Sequence, residues 1–172
     1  DNSGTIEIGQ YSVGIYNRGG TGIQNDGNIS SVSERAVGLY MDGFNNTDGL
    51  NSGTINLTGD KSIGAYISEN GSKTFNNTGN IEIGDSSSET NPGIGIYNNN
   101  SNAVMSNSGN IKSGKKSIGI YNEGGQLTHL SGIISTDESG TGIYSSSGSV
   151  LINTGQIKVA NNDTVGIYGV NG

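Results

Sequence analysis

The chain has no cysteine and no tryptophan, and only one proline and one histidine, among its 172 residues. The lack of cysteine excludes disulfides, zinc–thiolate sites and thiol catalysis. No apolar run approaches the roughly 20 residues that a membrane-spanning helix needs, so we expect no direct membrane insertion of this segment. No signal peptide is recognisable either. If the protein is exported, we expect its targeting segment to have been removed or to lie outside this sequence.

Charged residues are also few, at 13%, and acidic ones predominate, with a net charge of −7. An acidic surface disfavours nucleic acid and anionic membranes as partners, because both carry negative charge themselves. Apolar residues make up only 30% of the chain, and this composition alone is typical of disorder. The order of the residues indicates a folded chain instead.

Two short motifs alternate along the whole chain, seven times each. The first, Asn-[Ser/Thr/Asp]-Gly-x-Ile, begins at Asn2, Asn25, Asn51, Asn77, Asn107 and Asn153, with Leu130 in the asparagine position of the remaining copy. The second, β-branched–Gly–aliphatic–Tyr, ends at Tyr16, Tyr40, Tyr66, Tyr97, Tyr121, Tyr144 and Tyr168. A third, looser apolar patch contains Ile23, Leu50, Phe75, Val104-Met105, Leu127 and Val150-Leu151-Ile152. Each period therefore holds about three short strands.

This period predicts an all-β fold, a right-handed parallel β-helix (β-solenoid) of seven coils with about three short strands each. A leucine-rich repeat needs more leucine than the six residues present, and propeller blades need about 40 residues. The right hand is expected because parallel crossovers almost always have it. We expect residues 1–172 to form a single segment, an excerpt of a longer array that continues at both ends, because no capping element is recognisable.

Stacked coils place equivalent residues in columns. The column led by Ile6 is predicted to fill the core, and the column led by Asn2 to form an amide ladder that is interrupted at Leu130. Period-2 alternation in the second motif places Val13 and Ile15 inside.

The same alternation turns Gly14 and Tyr16 outward. An aromatic ring lying across a strand glycine can recover packing there, so the tyrosines are expected to shield an outer glycine column. The alternative that stays open is that they form an aromatic platform for a sugar ring or a partner strand.

Candidate partner-binding residues lie where the repeat fails and on the tyrosine face. They are Phe44 in a short excursion of coil 2, the coil-4 insertion with Ser86, Ser87, Ser88, Glu89, Thr90, Asn91 and Pro92, and Tyr16, Tyr40, Tyr66, Tyr97, Tyr121, Tyr144 and Tyr168. The pair His129-Leu130 is a further break in the repeat. Neutral drift of the loops, and a Phe44 tucked under the third strand, are the competing interpretations.

No catalytic, cofactor-binding or metal-binding residues are expected. His129 is the only histidine, and no serine or acid is fixed beside it by a motif. The outward column with Glu7, Asn56, Glu82, Lys112 and Lys158 mixes both signs of charge, which is typical of charge balancing between coils rather than of a glycosidase pair. A polysaccharide-active β-helix enzyme is therefore the least favoured function.

Together, Asn-Ser-Gly-x-Ile-x-Ile and Ser-[Val/Ile]-Gly-Ile-Tyr resemble the passenger repeats of bacterial type V autotransporters, particularly the large fusobacterial adhesins. The resemblance spans essentially the whole chain. It implies an extracellular rod, anchored in the outer membrane through a part outside this sequence. The implied partners are a host-cell surface protein or glycan, or the surface of another bacterium. Whether this segment binds directly or only supports a binding region elsewhere stays open.

Overall fold

The computed structural model describes residues 1–68, 71–160 and 162–171. The described residues contain no helix, and hence none that could cross a membrane. They contain twenty strands, numbered along the chain: β1 (Thr5–Glu7), β2 (Val13–Arg18), β3 (Gly22–Asn25), β4 (Asn28–Ser31), β5 (Val37–Asp42), β6 (Thr47–Asn51), β7 (Thr54–Leu57), β8 (Ile63–Ile67), β9 (Lys73–Asn77), β10 (Asn80–Ile83), β11 (Ile94–Asn98), β12 (Val104–Asn107), β13 (Asn110–Ser113), β14 (Ile118–Asn122), β15 (Gln126–His129), β16 (Ile133–Thr136), β17 (Thr141–Ser145), β18 (Ser149–Ile152), β19 (Gln156–Val159) and β20 (Val165–Gly169).

The strands form three parallel sheets, each made of every third strand. Sheet I contains β1, β4, β7, β10, β13, β16 and β19; sheet II contains β2, β5, β8, β11, β14, β17 and β20; sheet III contains β3, β6, β9, β12, β15 and β18. One strand from each sheet makes a coil, so coil 1 is β1–β3, coil 6 is β16–β18, and coil 7 contributes β19 and β20. The predicted all-β parallel solenoid of seven coils is confirmed.

Inward-facing aliphatic columns fill the space between the sheets. In sheet I the Ile6 column pairs in register through every coil, and its five central members are at most 1% exposed: Ile29, Ile55, Ile81, Ile111 and Ile134. The Ile15 column of sheet II is buried in the same way. Burial of one such side chain stabilises a fold by about 1.5–3 kcal/mol, so the core is a continuous apolar filament along the rod.

The glycine column of sheet II faces the core, which corrects the predicted alternation. A Cβ on Gly38 would lie 2.5 Å from the carbonyl oxygen of Gly64 and 2.8 Å from Cγ2 of the buried Ile55. The backbone at this column thus packs directly against the isoleucines of sheet I, with no room for a side chain. Val13, predicted inside, is 37% exposed.

The outward tyrosine column is confirmed, as is the inward column led by Ile15. Two consecutive residues of each sheet II strand, the glycine and the aliphatic residue after it, therefore turn inward, and strict alternation fails at this point. Because the glycines lie inside, the tyrosines do not shield them.

The central inner column of sheet III is aliphatic or aromatic with one exception, a glycine. The column runs Ile23, Gly49, Phe75, Met105, Leu127 and Val150. Gly49 stands where Leu50 was expected, and Leu50 is only half-buried, on the outer side. A Cβ on Gly49 would lie 2.6 Å from Sδ of Met41 and 2.7 Å from Cδ2 of Phe75. Two large neighbours thus fill the space that a side chain at this position would need.

The predicted asparagine ladder closes the corner between sheets III and I. Each side-chain amide donates to the next side-chain oxygen, over 2.8 Å from Asn2 to Asn25, 2.8 Å from Asn25 to Asn51, 2.7 Å from Asn51 to Asn77 and 2.6 Å from Asn77 to Asn107. Buried amides are costly unless paired, and here each one supplies the partner of the next.

The ladder continues through His129, not Leu130. Nδ1 of His129 lies 3.1 Å from Nδ2 of Asn107, and the two residues are register partners. Leu130 is 40% exposed, and Ile152 instead of Asn153 occupies the equivalent position in the last copy. In these two copies the corner between the ladder position and the next strand is one residue longer. Counting back from the motif glycine therefore places the ladder position one residue too far along the chain.

Candidate functional site

The seven tyrosines form one unbroken column on the outer face of sheet II. Consecutive ring centroids are 4.5–5.3 Å apart from Tyr16 to Tyr168. Parallel in-register pairing of the strands imposes this spacing, since it holds equivalent residues about 4.8 Å apart. The structure thus brings all seven predicted tyrosines together.

The ring planes show what this face offers to solvent. The first four contacts are tilted or edge-to-face, with interplanar angles of 54–89°, and the last two are near-parallel, at 20° and 16°. Each contact covers the face of at least one ring with its neighbour, and such pairs contribute about 0.5–1.5 kcal/mol each beyond area burial. The column therefore packs mainly against itself and exposes ring edges and hydroxyl groups.

Two carboxylates follow the tyrosine face at the point where the strands of sheet II end. Asp42 accepts hydrogen bonds from the Tyr16 hydroxyl (2.8 Å) and the Ser68 hydroxyl (3.2 Å). Hydrogen bonds from the Gly43 backbone and from Tyr16 lower the pKa of Asp42 below its ordinary value, because they stabilise the charged form. Asp42 is thus an ionised carboxylate that is already engaged within the rod.

Glu123 plays the same part further along the face. It accepts a hydrogen bond from the Tyr97 hydroxyl over 3.1 Å. Burial, and then the charge of Glu123, raise the pKa of Tyr97, and the same two causes raise the pKa of Tyr121 to about 12. These phenols are protonated at neutral pH. Sequence reasoning missed both acids, although each lies two residues after a tyrosine, where a strand returns to the same face.

Phe44 projects from the corner after β5 and is 82% exposed. The interpretation that it tucks under the third strand is wrong. It borders a shallow concavity with Arg18, Asp42 and Asn45. Asn45 donates to the Gly19 carbonyl oxygen over 2.7 Å, which ties this corner to the one below it. Phe44 is thus a large, accessible aromatic group held on a tied corner.

The coil-4 insertion is anchored at its base and open at its tip. Ser86 is buried, with Oγ 2.8 Å from Oγ of Ser117 and 2.6 Å from the backbone nitrogen of Gly93, whose hydrogen it accepts. Ser87 donates to Asp60 from its backbone and its hydroxyl, over 3.0 and 2.6 Å. Ser88 and Pro92 are half-buried. The exposed residues at the tip of the insertion are Glu89, Thr90 and Asn91.

His129 lies inside the rod, at 0% exposure. Its Nε2 is 3.2 Å from the Gln156 carbonyl oxygen, and its Nδ1 faces Asn107. It is not on the surface that a partner would contact. Across residues 1–68, 71–160 and 162–171, no three histidine or acidic side chains are placed so that they could hold a metal ion.

The mixed-charge column of sheet I has the predicted register. Glu7, Asn56, Glu82, Lys112 and Lys158 stand on successive or neighbouring coils, with Ser30 and Ser135 between them. Nζ of Lys112 lies 2.6 Å from Oε1 of Glu82. An exposed pair of this kind contributes little to stability, and its main effect is to avoid like charges on adjacent coils.

Comparisons with family models, with curated proteins and with solved structures found no match to this chain.

Proposed function

We propose that the chain is a rod-forming segment of a surface-displayed bacterial adhesin. Its task is to carry binding surfaces away from the cell, toward host cells or other bacteria. The observation that carries the proposal is the unbroken register of the three sheets: every coil pairs with the next in parallel, and core, asparagine and tyrosine columns run along the stack. The resemblance of the two motifs to autotransporter passenger repeats supports the proposed display on a bacterial surface.

Such a stack resists bending because every coil is tied to its neighbours on three sides. Main-chain hydrogen bonds link adjacent coils in all three sheets and also at the corners, as from Ile94 N to Ser62 O and from Thr54 N to Gly27 O, both 2.8–2.9 Å. In solenoids each unit contacts only its neighbours, so length is added or removed one coil at a time without changing the rest. A spacer needs this property.

A one-coil deletion tests the spacer function. Removing residues 63–93 joins Ser62 to Ile94, which already pairs with Ile63 in the same column, so the phase of the repeat is kept. In cells that display the whole adhesin, we expect the shortened rod to stay on the surface and adhesion to fall only because reach is lost. Adhesion should recover when a duplicated coil is inserted elsewhere. Failure of antibodies to label the chain on intact cells would refute surface display.

A second candidate function, direct binding of a glycan or protein by this segment, is favoured by Phe44. An aromatic side chain that is 82% exposed and borders a concavity with Arg18 and Asp42 is well suited to stack on a sugar or to enter an apolar pocket of a partner. The test is a glycan array and a host-cell binding assay with the purified chain and Phe44→Ala. The matched control is Val32→Ala, an equally exposed apolar residue (87%). Equal binding by both variants would remove Phe44 from the function.

A further inference from the structure

The tyrosine column changes geometry toward its carboxyl-terminal end. Tyr97 and Tyr121 meet edge to face, at an interplanar angle of 89°. Tyr121 and Tyr144 are near-parallel, at 20°, with centroids only 4.5 Å apart, and Tyr144 and Tyr168 are near-parallel at 5.3 Å. In a near-parallel pair the two rings turn their faces toward one another. In an edge-to-face pair, the edge of one ring points at the centre of the other.

We propose that Tyr144 is a site of oxidative modification, at which an intrachain dityrosine bond to Tyr121 forms when a peroxidase and hydrogen peroxide act on the chain. The inference goes beyond the proposed function and does not depend on it. It concerns how the rod responds to an oxidising environment, whatever the rod carries.

The chemistry requires two adjacent phenols and an oxidant that removes single electrons. Each phenol loses one electron and its hydroxyl proton, and the resulting radical has spin density on the ortho carbons. A carbon–carbon bond forms between one ortho carbon of each ring. The hydrogens on these two carbons then return to the oxygens, which restores both phenols. Two electrons and two protons leave the pair in total, and they reduce one hydrogen peroxide to two waters.

The fold holds this pair in place before oxidation. β14 and β17 pair in parallel, with Tyr121 and Tyr144 as direct register partners. The two rings are half-buried on an outer face, so an oxidant reaches their hydroxyl edges while their backbones stay fixed. The shorter centroid distance favours Tyr121 over Tyr168 as the partner of Tyr144. Tyr144 belongs to both near-parallel pairs, so it is the ring on which cross-linking is expected to centre.

Glu123 supplies a proton acceptor next to the reacting ring. Glu123 accepts a hydrogen bond from the neighbouring Tyr97 over 3.1 Å, and burial, followed by the charge of this carboxylate, raises the pKa of Tyr121 to about 12. The phenol is therefore protonated at neutral pH, and its oxidation must release a proton. Glu123, whose charge acts on Tyr121, is the nearby base that can take that proton as the electron leaves.

A covalent bond at this place would join coil 5 to coil 6. The chain has no cysteine, so no disulfide can do this. A cross-link between neighbouring strands limits the freedom of the unfolded chain, and in a linear stack it prevents the two coils from separating.

The purified 172-residue chain tests the proposal. It is treated at low protein concentration with a peroxidase and hydrogen peroxide, digested, and mapped by mass spectrometry alongside dityrosine fluorescence. We expect a peptide with Tyr121 joined to a peptide with Tyr144, lighter by two hydrogens than their sum, in a yield that does not change with protein concentration. A link that maps mainly to another pair, or a yield that rises with concentration, overturns the proposal.

Two variants sharpen the result. Tyr144→Phe keeps the ring but should lose the intrachain cross-link, whereas Tyr66→Phe, from the part of the column with tilted and edge-to-face contacts, should retain it. Equal loss in both variants overturns the proposal. Circular dichroism shows whether each variant is folded. If a variant does not fold, the cross-link map of the unaltered chain decides whether Tyr121 and Tyr144 are the joined pair. Glu123→Gln should slow cross-linking, and an unchanged rate would refute its role as proton acceptor.

Discussion

Asn98 donates its side-chain amide to Oδ1 of Asn122 over 2.8 Å, whereas Nδ2 of Asn122 finds no acceptor among the described residues. The two residues are register partners at the inner end of β11 and β14, so they form a second, short amide ladder inside the rod. It stops because Ser145 takes the equivalent place in coil 6. A buried amide without a partner costs about 1–3 kcal/mol.

Ser145→Asn should therefore stabilise the rod. The new side chain would place an oxygen next to Nδ2 of Asn122 and continue the ladder by one coil. We expect the free energy of unfolding in urea to rise by about 1 kcal/mol. The control is Ser147→Asn, at an exposed corner position, which should leave stability unchanged. A lower stability of Ser145→Asn would show that the core has no room for the amide.

Gly53→Ala should destabilise the chain strongly, because a Cβ there would overlap the carbonyl oxygen of Gly27 in the coil below. Relief requires the backbones of two coils to separate, so we expect a loss of more than about 2 kcal/mol. Gly4 holds the same motif position in the first coil, where the nearest atom to its Cβ is 4.0 Å away. Gly4→Ala should stay within about 1 kcal/mol of the unaltered chain. Thermal unfolding of both variants makes the comparison, and equal losses would contradict it.

The two phenylalanines of the chain should respond in opposite ways to truncation. Phe75 is fully buried between Gly49 and Met105 in the inner column of sheet III, and Phe44 is 82% exposed. Phe75→Ala should cost about 3–5 kcal/mol, since it removes a large apolar group and leaves a cavity. Phe44→Ala should change stability by less than about 0.5 kcal/mol. Urea unfolding of the pair would refute the assignment if Phe44→Ala were the more harmful.

Alkaline pH should weaken the rod through its tyrosines. Burial, assisted by Glu123, raises the pKa of Tyr121 from 10.0 to about 12. A phenol whose pKa is raised on folding contributes stability that is fully present below its ordinary pKa and lost as pH rises to the raised value. We therefore expect stability to hold up to pH 10 and to fall toward about pH 12. The fall should be smaller in Tyr121→Phe and unchanged in Tyr11→Phe, which lies outside the column. Unfolding experiments across this range make the measurement.

Most of the architecture could be predicted from the order of the residues. Stacked coils require equivalent residues at equivalent phase, so the repeated Ile6 and Tyr16 positions showed both the number of coils and two of the columns. The sequence pattern could not show that Gly14 faces inward. Alternation assumes a regular strand, whereas here the backbone approaches the isoleucine column so closely that only glycine fits.

The misplacement of the asparagine ladder has a different cause. The motif predicted Leu130 in the asparagine position because this residue keeps the distance to the following glycine. The structure keeps the distance to the inward residue of the same strand, here Leu127, and lengthens the following corner by one residue. Imidazole can replace an amide in a hydrogen-bonded column because its ring nitrogen also accepts.

Of the candidate binding residues, Phe44 could be recognised in the sequence as a departure from the repeat, and the tyrosines as part of it. Asp42 and Glu123 could not, because their role depends on contacts between coils.

The coil-4 insertion changes the length of one corner without changing the pairing of the strands. Ile94 pairs with Ile63 although 31 residues part them in the chain, and Ser86 fills the space that Gly93 leaves beside Ser117. The extra residues widen the molecule at one corner and leave its axial order intact. Such corners can therefore vary in length and composition without disturbing the stacked coils, and a foreign loop grafted between Ser86 and Gly93 should leave the stack intact.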